Sequence, residues 1–216
     1  MSRPEPSGEH SLSNPVRGRL NAATLRTLDL YAHLLVGGRK QALFADLPER
    51  VVEIGPGTGA NLRYYRPGTR VVAIEPNVHM HGPLRAAARR HGIDLELRAE
   101  TAERIGLPDA SVDAAVSTLV LCTVPDPVAA VREVRRVLRP GGRLLFVEHV
   151  RADGGHGRMQ RLAARPWQWF FEGCDVRRDT ERTIRDADFA SVDVQRFTMR
   201  SAFLPINPQI AGTAIR

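Results

Sequence analysis

VVEIGPGTG, Val51 to Gly59, is a short apolar strand that runs straight into glycines at positions 55, 57 and 59, with helical spacing over Asn61 to Tyr65 behind it. Glycine there lets the backbone turn sharply and approach a ligand closely, where a side chain would intervene. Outward from this turn the rhythm repeats. VVAI (71–74), LEL (95–97), VDAAVS (112–117) and RLLFVEHV (143–150) read as strands, and Val78 to His91 and Pro127 to Leu138 carry helical spacing between them. Strand and helix in alternation argue for βαβ units and a parallel, doubly wound α/β sheet. VVEI and VVAI are apolar on both faces except at their ends, which fits strands covered by helices on two sides.

Beyond Val150 the pattern changes. Gly154, Gly155 and Gly157 open a loop, and the next stretch carries Trp167, Trp169, Phe170 and Phe171, with Pro166 interrupting its helical spacing. RDTERTIRDADF reads as one more helix, and ASVDVQRFTMR and INPQIAGTAIR as a pair of strands closing the sheet in a hairpin-like end. A single domain is expected over 20–216, with residues 1–19 a disordered tail.

A chain of 216 residues, 43% hydrophobic and 25% charged, fits one such domain with a sizeable core. The longest apolar run, Ala114 to Val124, is too short to cross a bilayer, which takes about 20 residues. The first residues hold no apolar run of the signal-peptide kind, so a cytoplasmic location is expected. Two cysteines, Cys122 and Cys174, exclude a disulfide framework and offer no Cys-rich metal site, so no metal is expected. Lys plus Arg exceeds Asp plus Glu by 31 − 24 = 7. The arginines are scattered, and Arg132, Arg135, Arg136 and Arg139 share a helical face opposite Val131, Val134 and Leu138. That is a solvated surface helix, and no nucleic-acid partner is expected. Arg158, Arg161 and Arg165 beside the aromatic segment leave room for peripheral contact with a membrane surface. Nothing in the sequence sets the oligomeric state.

The glycine turn is a cofactor cradle whose ligand it does not name by itself. Gly55, Gly57 and Ala60 satisfy the dinucleotide pattern, and Glu75, at the end of the next strand and 75 − 55 = 20 positions on, suits the ribose hydroxyls of a nicotinamide or an adenosyl cofactor alike. Glu53 tips the balance. An acid inside the first strand is costly to bury unless its carboxylate is hydrogen-bonded or faces a cationic ligand. A dinucleotide gives no reason for it; a sulfonium with an amino-acid ammonium does. Backbone amides of the glycine turn are the alternative partner.

VVEIGPGTG, EPN (75–77), LPDASVDAAVS and EVRRVLRPGG, in this order, resemble the successive motifs of class I S-adenosylmethionine-dependent methyltransferases, in the group related to ubiquinone and menaquinone C-methyltransferases. The resemblance implies a Rossmann-like seven-stranded sheet whose last strand is antiparallel, with helices on both faces, and S-adenosyl-L-methionine as cofactor. It also implies roles: Gly55, Gly57 and Gly59 along the methionine and ribose, Glu75 on the ribose, Pro76 and Asn77 beside the adenine, and Ser117 with Leu119 near the methionine end. Where that group often has Asp-Ala against the adenine amino group, this chain has Thr101-Ala102, so a hydroxyl or the nearby Glu100 must substitute.

STLVLCTV, the FVEHV strand end, W-x-x-FFEGC and the ending PQIAGTAIR are similar to the thiol S-methyltransferases of the methyltransferase-like group. The resemblance implies methyl transfer to a small apolar thiol. Methylation of a phospholipid headgroup or small amine, O- or C-methylation of a metabolite, and an inactive binding protein are the other readings. Members of that group carry an N-terminal membrane anchor that this sequence does not display. Transfer from a sulfonium is an in-line displacement that needs positioning in a dry cleft and no metal. Glu148 and His149, at the carboxyl end of a strand, are the catalytic candidates, with His149 taking or orienting the thiol proton. Cys122, Trp167, Phe170 and Phe171 are the candidates for an apolar acceptor wall.

Overall fold

In the computed structural model, which describes residues 30–171 and 173–216, the glycine-flanked run becomes β1 (Arg50–Ile54), one of seven strands in a single sheet. β2 (Arg70–Ile74), β3 (Asp94–Arg98), β4 (Val112–Thr118), β5 (Leu138–His149), β6 (Ser191–Thr198) and β7 (Pro208–Ile215) complete it in the order β3-β2-β1-β4-β5-β7-β6. Neighbours among β1 to β5 pair in parallel, and β7 is antiparallel to both β5 and β6. The last strand in the chain is thus the antiparallel one, as expected. The tail expected over 1–19 lies outside the described residues.

Helices cover both faces because successive strand residues point to opposite sides. Val52, Ile54, Val72, Ile74, Ala115 and Phe146 face α3 (Pro127–Val137) and α5 (Thr180–Arg185). Val51, Val71, Ala73, Ala114, Val116 and Leu145 face α1 (residues 30–43 among those described, with Phe44 just after it) and α2 (Val78–His91). Glu53 points to this second side, between Val51 and the glycine turn. No described helix is long and apolar enough to cross a membrane.

Two local readings differ from the structure. Asn61 to Tyr65 forms only a 3-10 turn over Leu62–Tyr64, because the Asn61 and Tyr65 side chains are drawn to Glu53 and the backbone turns extended at Tyr65, two residues before Pro67. The glycines at 154–157 open no loop: α4 runs Gly154–Phe170, straight through Pro166. An alanine at 157 would put its Cβ 2.1 Å from the Ala152 carbonyl oxygen, so glycine is what lets the helix start against that loop. The hydrogen bond that Pro166 cannot donate would go to the carbonyl of Leu162, a residue 85% exposed, so the unpaired carbonyl lies on the solvent side of the helix.

Candidate active site

The glycine turn opens at the carboxyl ends of β1, β2 and β4, the edge at which open α/β sheets bind ligands. Its three glycines do different work. All have positive φ, of 55°, 57° and 87°. A Cβ on Gly55 would sit 2.7 Å from Val120 Cγ2, and one on Gly59 would sit 2.8 Å from Ala87 Cβ on α2. These two serve packing. A Cβ on Gly57 would meet nothing within 4 Å, because it would project into a cavity of about 160 Å3.

That cavity is walled by Gly55, Gly57, Glu75, Pro76, Asn77, Thr101, Ala102 and Leu119, brought together from four strand ends, with Met80, Val120 and Val124 adding apolar surface. Glu75 organises it. One carboxylate oxygen accepts the Gly57 backbone N–H and the other accepts that of Asn77, both at 2.9 Å, and the Asn77 side chain caps α2 by accepting from the His79 N–H. The glycine turn therefore does have a carboxylate receiving its amide, and it is Glu75. Glu53 goes elsewhere. Its oxygens accept from Asn61 Nδ2 at 2.8 Å and the Tyr65 hydroxyl at 2.9 Å, and Asn61 in turn accepts from Lys40 Nζ at 2.9 Å. Burial pushes the Glu53 carboxyl up, and Asn61, Tyr65 and Lys40 pull against it. Glu53 lines neither this cavity nor the one beside it, which corrects the expectation that it faces a cationic ligand.

A second cavity, of about 220 Å3, adjoins the first, and Leu119 and Thr123 line both. Leu119 stands at the end of β4 with φ at 57°, a conformation uncommon for a side-chain-bearing residue and held here by its neighbours. The walls of this cavity are mainly apolar: Val147, Trp167, Phe171 and Met199, with Leu35 and Val36 from α1 and Phe203 and Ile206 from the β6–β7 connection. Trp167 and Phe171 pack with ring centroids 4.3 Å apart. Phe170 lies outside, 43% exposed and edge-on to Phe171, so it supports the wall and is no part of it.

Among the polar residues on its wall, which include Lys40, Thr118, Ser201 and Gln209, Cys122, His149 and Cys174 form a cluster. His149 Nε2 lies 3.1 Å from Cys174 Sγ, which lies 3.5 Å from Cys122 Sγ and receives the Trp167 indole N–H at 3.3 Å. Cys174 and burial push the Cys122 thiol well above its ordinary range. On His149, burial opposes the charged form, while Cys122, Glu148 and Asp175 favour it and leave a net upward push. Glu148, paired with His149 in the sequence reading, faces away from the cavity. Its carboxylate accepts from Ser117 Oγ at 2.6 Å and from the Val120 N–H, and burial pushes it up. Ser117 and Glu148 therefore stand behind the cavity wall, where they hold it.

Comparison with known proteins gives this arrangement its family. The methyltransferase domain family matches residues 52–146. Human thiol S-methyltransferase TMT1B is 36% identical over 171 residues, 77% of this chain and 70% of the relative, and human thiol S-methyltransferase TMT1A is 32% identical over 194 residues, 84% and 80%. This chain belongs to the class I S-adenosylmethionine-dependent methyltransferases, close to the TMT1 group. Its fold is shared with an S-adenosylmethionine-dependent methyltransferase from Thermotoga maritima, at a TM-score of 0.68 and 22% identity over 93% of this chain and 98% of that one. For a methyltransferase of this family, the cavity at Gly57 and Glu75 fits the adenosyl cofactor: it has open space where a Cβ would stand and a carboxylate beside a backbone cradle.

The α1 wall, Thr118, Thr123 and the residues from Met199 to Gln209 escaped the sequence reading. A signal existed only for α1, where Leu35, Val36 and Phe44 mark an inward face; the β6–β7 connection carries no motif.

Proposed function

We propose that this methyltransferase moves the methyl group of S-adenosylmethionine to the sulfur of a small apolar thiol. The observation that carries the reading is the meeting of the two cavities at Leu119 and Thr123, one with a carboxylate and a bare backbone turn, the other apolar with a sulfur- and imidazole-lined end. The names of the TMT1 relatives support the acceptor class. When bound, the cofactor supplies an electrophilic methyl on a sulfonium.

In this reading Glu75 accepts the ribose hydroxyls, Gly57 lets the cofactor lie against bare backbone, and Pro76, Asn77, Thr101 and Ala102 enclose the adenine. Leu119 stands between donor and acceptor. Val147, Trp167 and Phe171 exclude water from the acceptor, and dryness strengthens every polar contact inside. His149 and the two cysteines receive the sulfur head of the acceptor. Residues 20–216 form one catalytic domain. Nucleic acid is no partner in this reading, because the basic residues are scattered along the chain and form no block, and some are paired with acids in place: Arg136 with Glu133 and Asp109, Arg139 with Asp113, and Arg196 with Glu181.

The test is a panel of alkyl and aryl thiols, amines, phenols and phosphatidylethanolamine vesicles incubated with methyl-labelled S-adenosylmethionine. Label is expected on apolar thiols. Label on an amine or the phospholipid alone overturns the acceptor while leaving the family intact.

A further inference from the structure

Cys122, His149 and Cys174 come from three separate elements: the turn after β4, the end of β5 and the segment after α4. All three are buried, at 1%, 2% and 7% exposure, and each presents a metal-ligating atom within 4.8 Å of the others. Tetrahedral zinc with sulfur at about 2.3 Å and nitrogen at about 2.0 Å holds such ligands roughly 3.5–3.8 Å apart. The two separations of 3.1 Å and 3.5 Å are each within about 0.4 Å of that arrangement, and the third lies under 4.8 Å.

We propose that these residues form a zinc site of two sulfurs and one imidazole nitrogen, whose fourth position opens on the acceptor cavity. Two thiolates and one imidazole are a soft donor set that suits zinc over magnesium or calcium. Two thiolates also neutralise the ion, which is what an apolar cavity tolerates. The Trp167 N–H at Cys174 Sγ is placed to favour the thiolate, as outer hydrogen bonds to metal ligands do. His149 offers Nε2 to the cluster, while its buried Nδ1 has no hydrogen-bond partner among the described residues.

The fourth position is where an acceptor sulfur binds, and this half of the inference rests on the thiol reading above. A thiol entering it displaces water, its S–H bond breaks with the proton going to solvent, and the sulfur's electron pair forms the bond to zinc. A coordinating thiol is deprotonated outright, so the acceptor is held as thiolate at neutral pH without a side-chain base of matched pKa.

The experiment uses the full chain, purified without nickel affinity and kept in a phosphine reductant. About one zinc per chain is expected by plasma mass spectrometry, with affinity against a chromogenic chelator falling by more than about tenfold in Cys122→Ser and Cys174→Ser. S-adenosylhomocysteine binding in the same variants reports folding. The cobalt-substituted protein is expected to show a thiolate charge-transfer band that changes when butanethiol is added. A chain that takes up no zinc, or variants that hold it as tightly as the parent, overturns the site. A cobalt band indifferent to butanethiol overturns the acceptor position. Thiol methylation by zinc-free protein overturns the metal's role, whereas zinc binding without thiol methylation overturns the thiol reading and leaves the site.

Discussion

Both carboxylate oxygens of Glu148 lie 3.1 Å from the backbone nitrogen of Val120. One of them also receives the Ser117 hydroxyl at 2.6 Å. A buried acid two strands' width from the glycine turn thus fixes the backbone just after Leu119, the residue that borders both cavities. These oxygens hold the wall, and Glu148 lines neither cavity.

Glu148→Ala is therefore expected to act through stability and positioning. It strands the Ser117 hydroxyl and the Val120 N–H, at a cost of about 3 kcal/mol. Thermal unfolding should occur at lower temperature, and kcat should fall more than affinity for S-adenosylhomocysteine. An unchanged melting temperature would remove this role.

Gly57 and Gly59 separate binding from packing. Gly57→Ala meets no atom, so it should cost only about 1 kcal/mol for its left-handed backbone, yet weaken cofactor binding by blocking the cavity. Gly59→Ala strikes Ala87 and should lower stability by about 1–3 kcal/mol beyond the backbone cost. Calorimetric titration with S-adenosylhomocysteine beside thermal melts reads both; equal cofactor affinity in Gly57→Ala would deny the cradle.

The cofactor half of the molecule was legible because it is local: a strand, a turn and an acid at fixed spacing put Gly57, Glu75, Asn77 and Leu119 around one cavity. Glu53 and Glu148 were misread for one reason. A sequence reports that a buried acid must have partners but not which, and the partners here, Asn61 and Tyr65 for one and Ser117 with Val120 for the other, depend on tertiary placement. Cys122 and Cys174 stand 174 − 122 = 52 positions apart, so no ligand spacing announced their contact, and the continuation of α4 through Pro166 hung on solvent at Leu162.

Glu75→Ala is expected to weaken S-adenosylmethionine binding by about 1–3 kcal/mol, the range for a lost charged hydrogen-bonding group. The loss also frees the Gly57 and Asn77 amides, so the turn and the start of α2 loosen together. NADH is expected not to bind the parent. Parent-like affinity in Glu75→Ala would remove the ribose assignment.

Stability should fall in acid through Glu133. Its carboxyl is held below the ordinary range, first by Arg136 and then by the Ile105 N–H, against partial burial. A lowered folded-state value means that the stabilisation is fully present above the ordinary carboxyl range near 4.5 and is lost as pH falls through the lowered value. Arg136 also donates to the Ile105 and Leu107 carbonyls, so this pair pins the loop that follows Thr101 and Ala102. Glu133→Gln should cost about 1 kcal/mol at neutral pH after allowance for solvent screening. It should also flatten the acid limb of a stability–pH curve. A parallel acid limb in the variant would show that other carboxylates carry it.

His149→Gln tests the acceptor end alone. His149 lines the acceptor cavity and not the one at Gly57 and Glu75, so S-adenosylhomocysteine affinity should equal the parent's. The Nδ1 atom has no partner among the described residues, so no hydrogen bond there is lost, and a thermal melt beside the assay separates any cost of burying the amide from the effect on turnover. What disappears is the imidazole nitrogen 3.1 Å from Cys174 Sγ, where the acceptor sulfur is to be received. Turnover of apolar thiols should drop at least about a hundredfold if that nitrogen holds or deprotonates the acceptor. A rise in KM with kcat unchanged would mean that His149 contributes only uniform binding, and equal falls in kcat and kcat/KM would mean that its contact is made in the transition state. Full activity in His149→Gln would move the sulfur-binding end of the cavity away from this cluster.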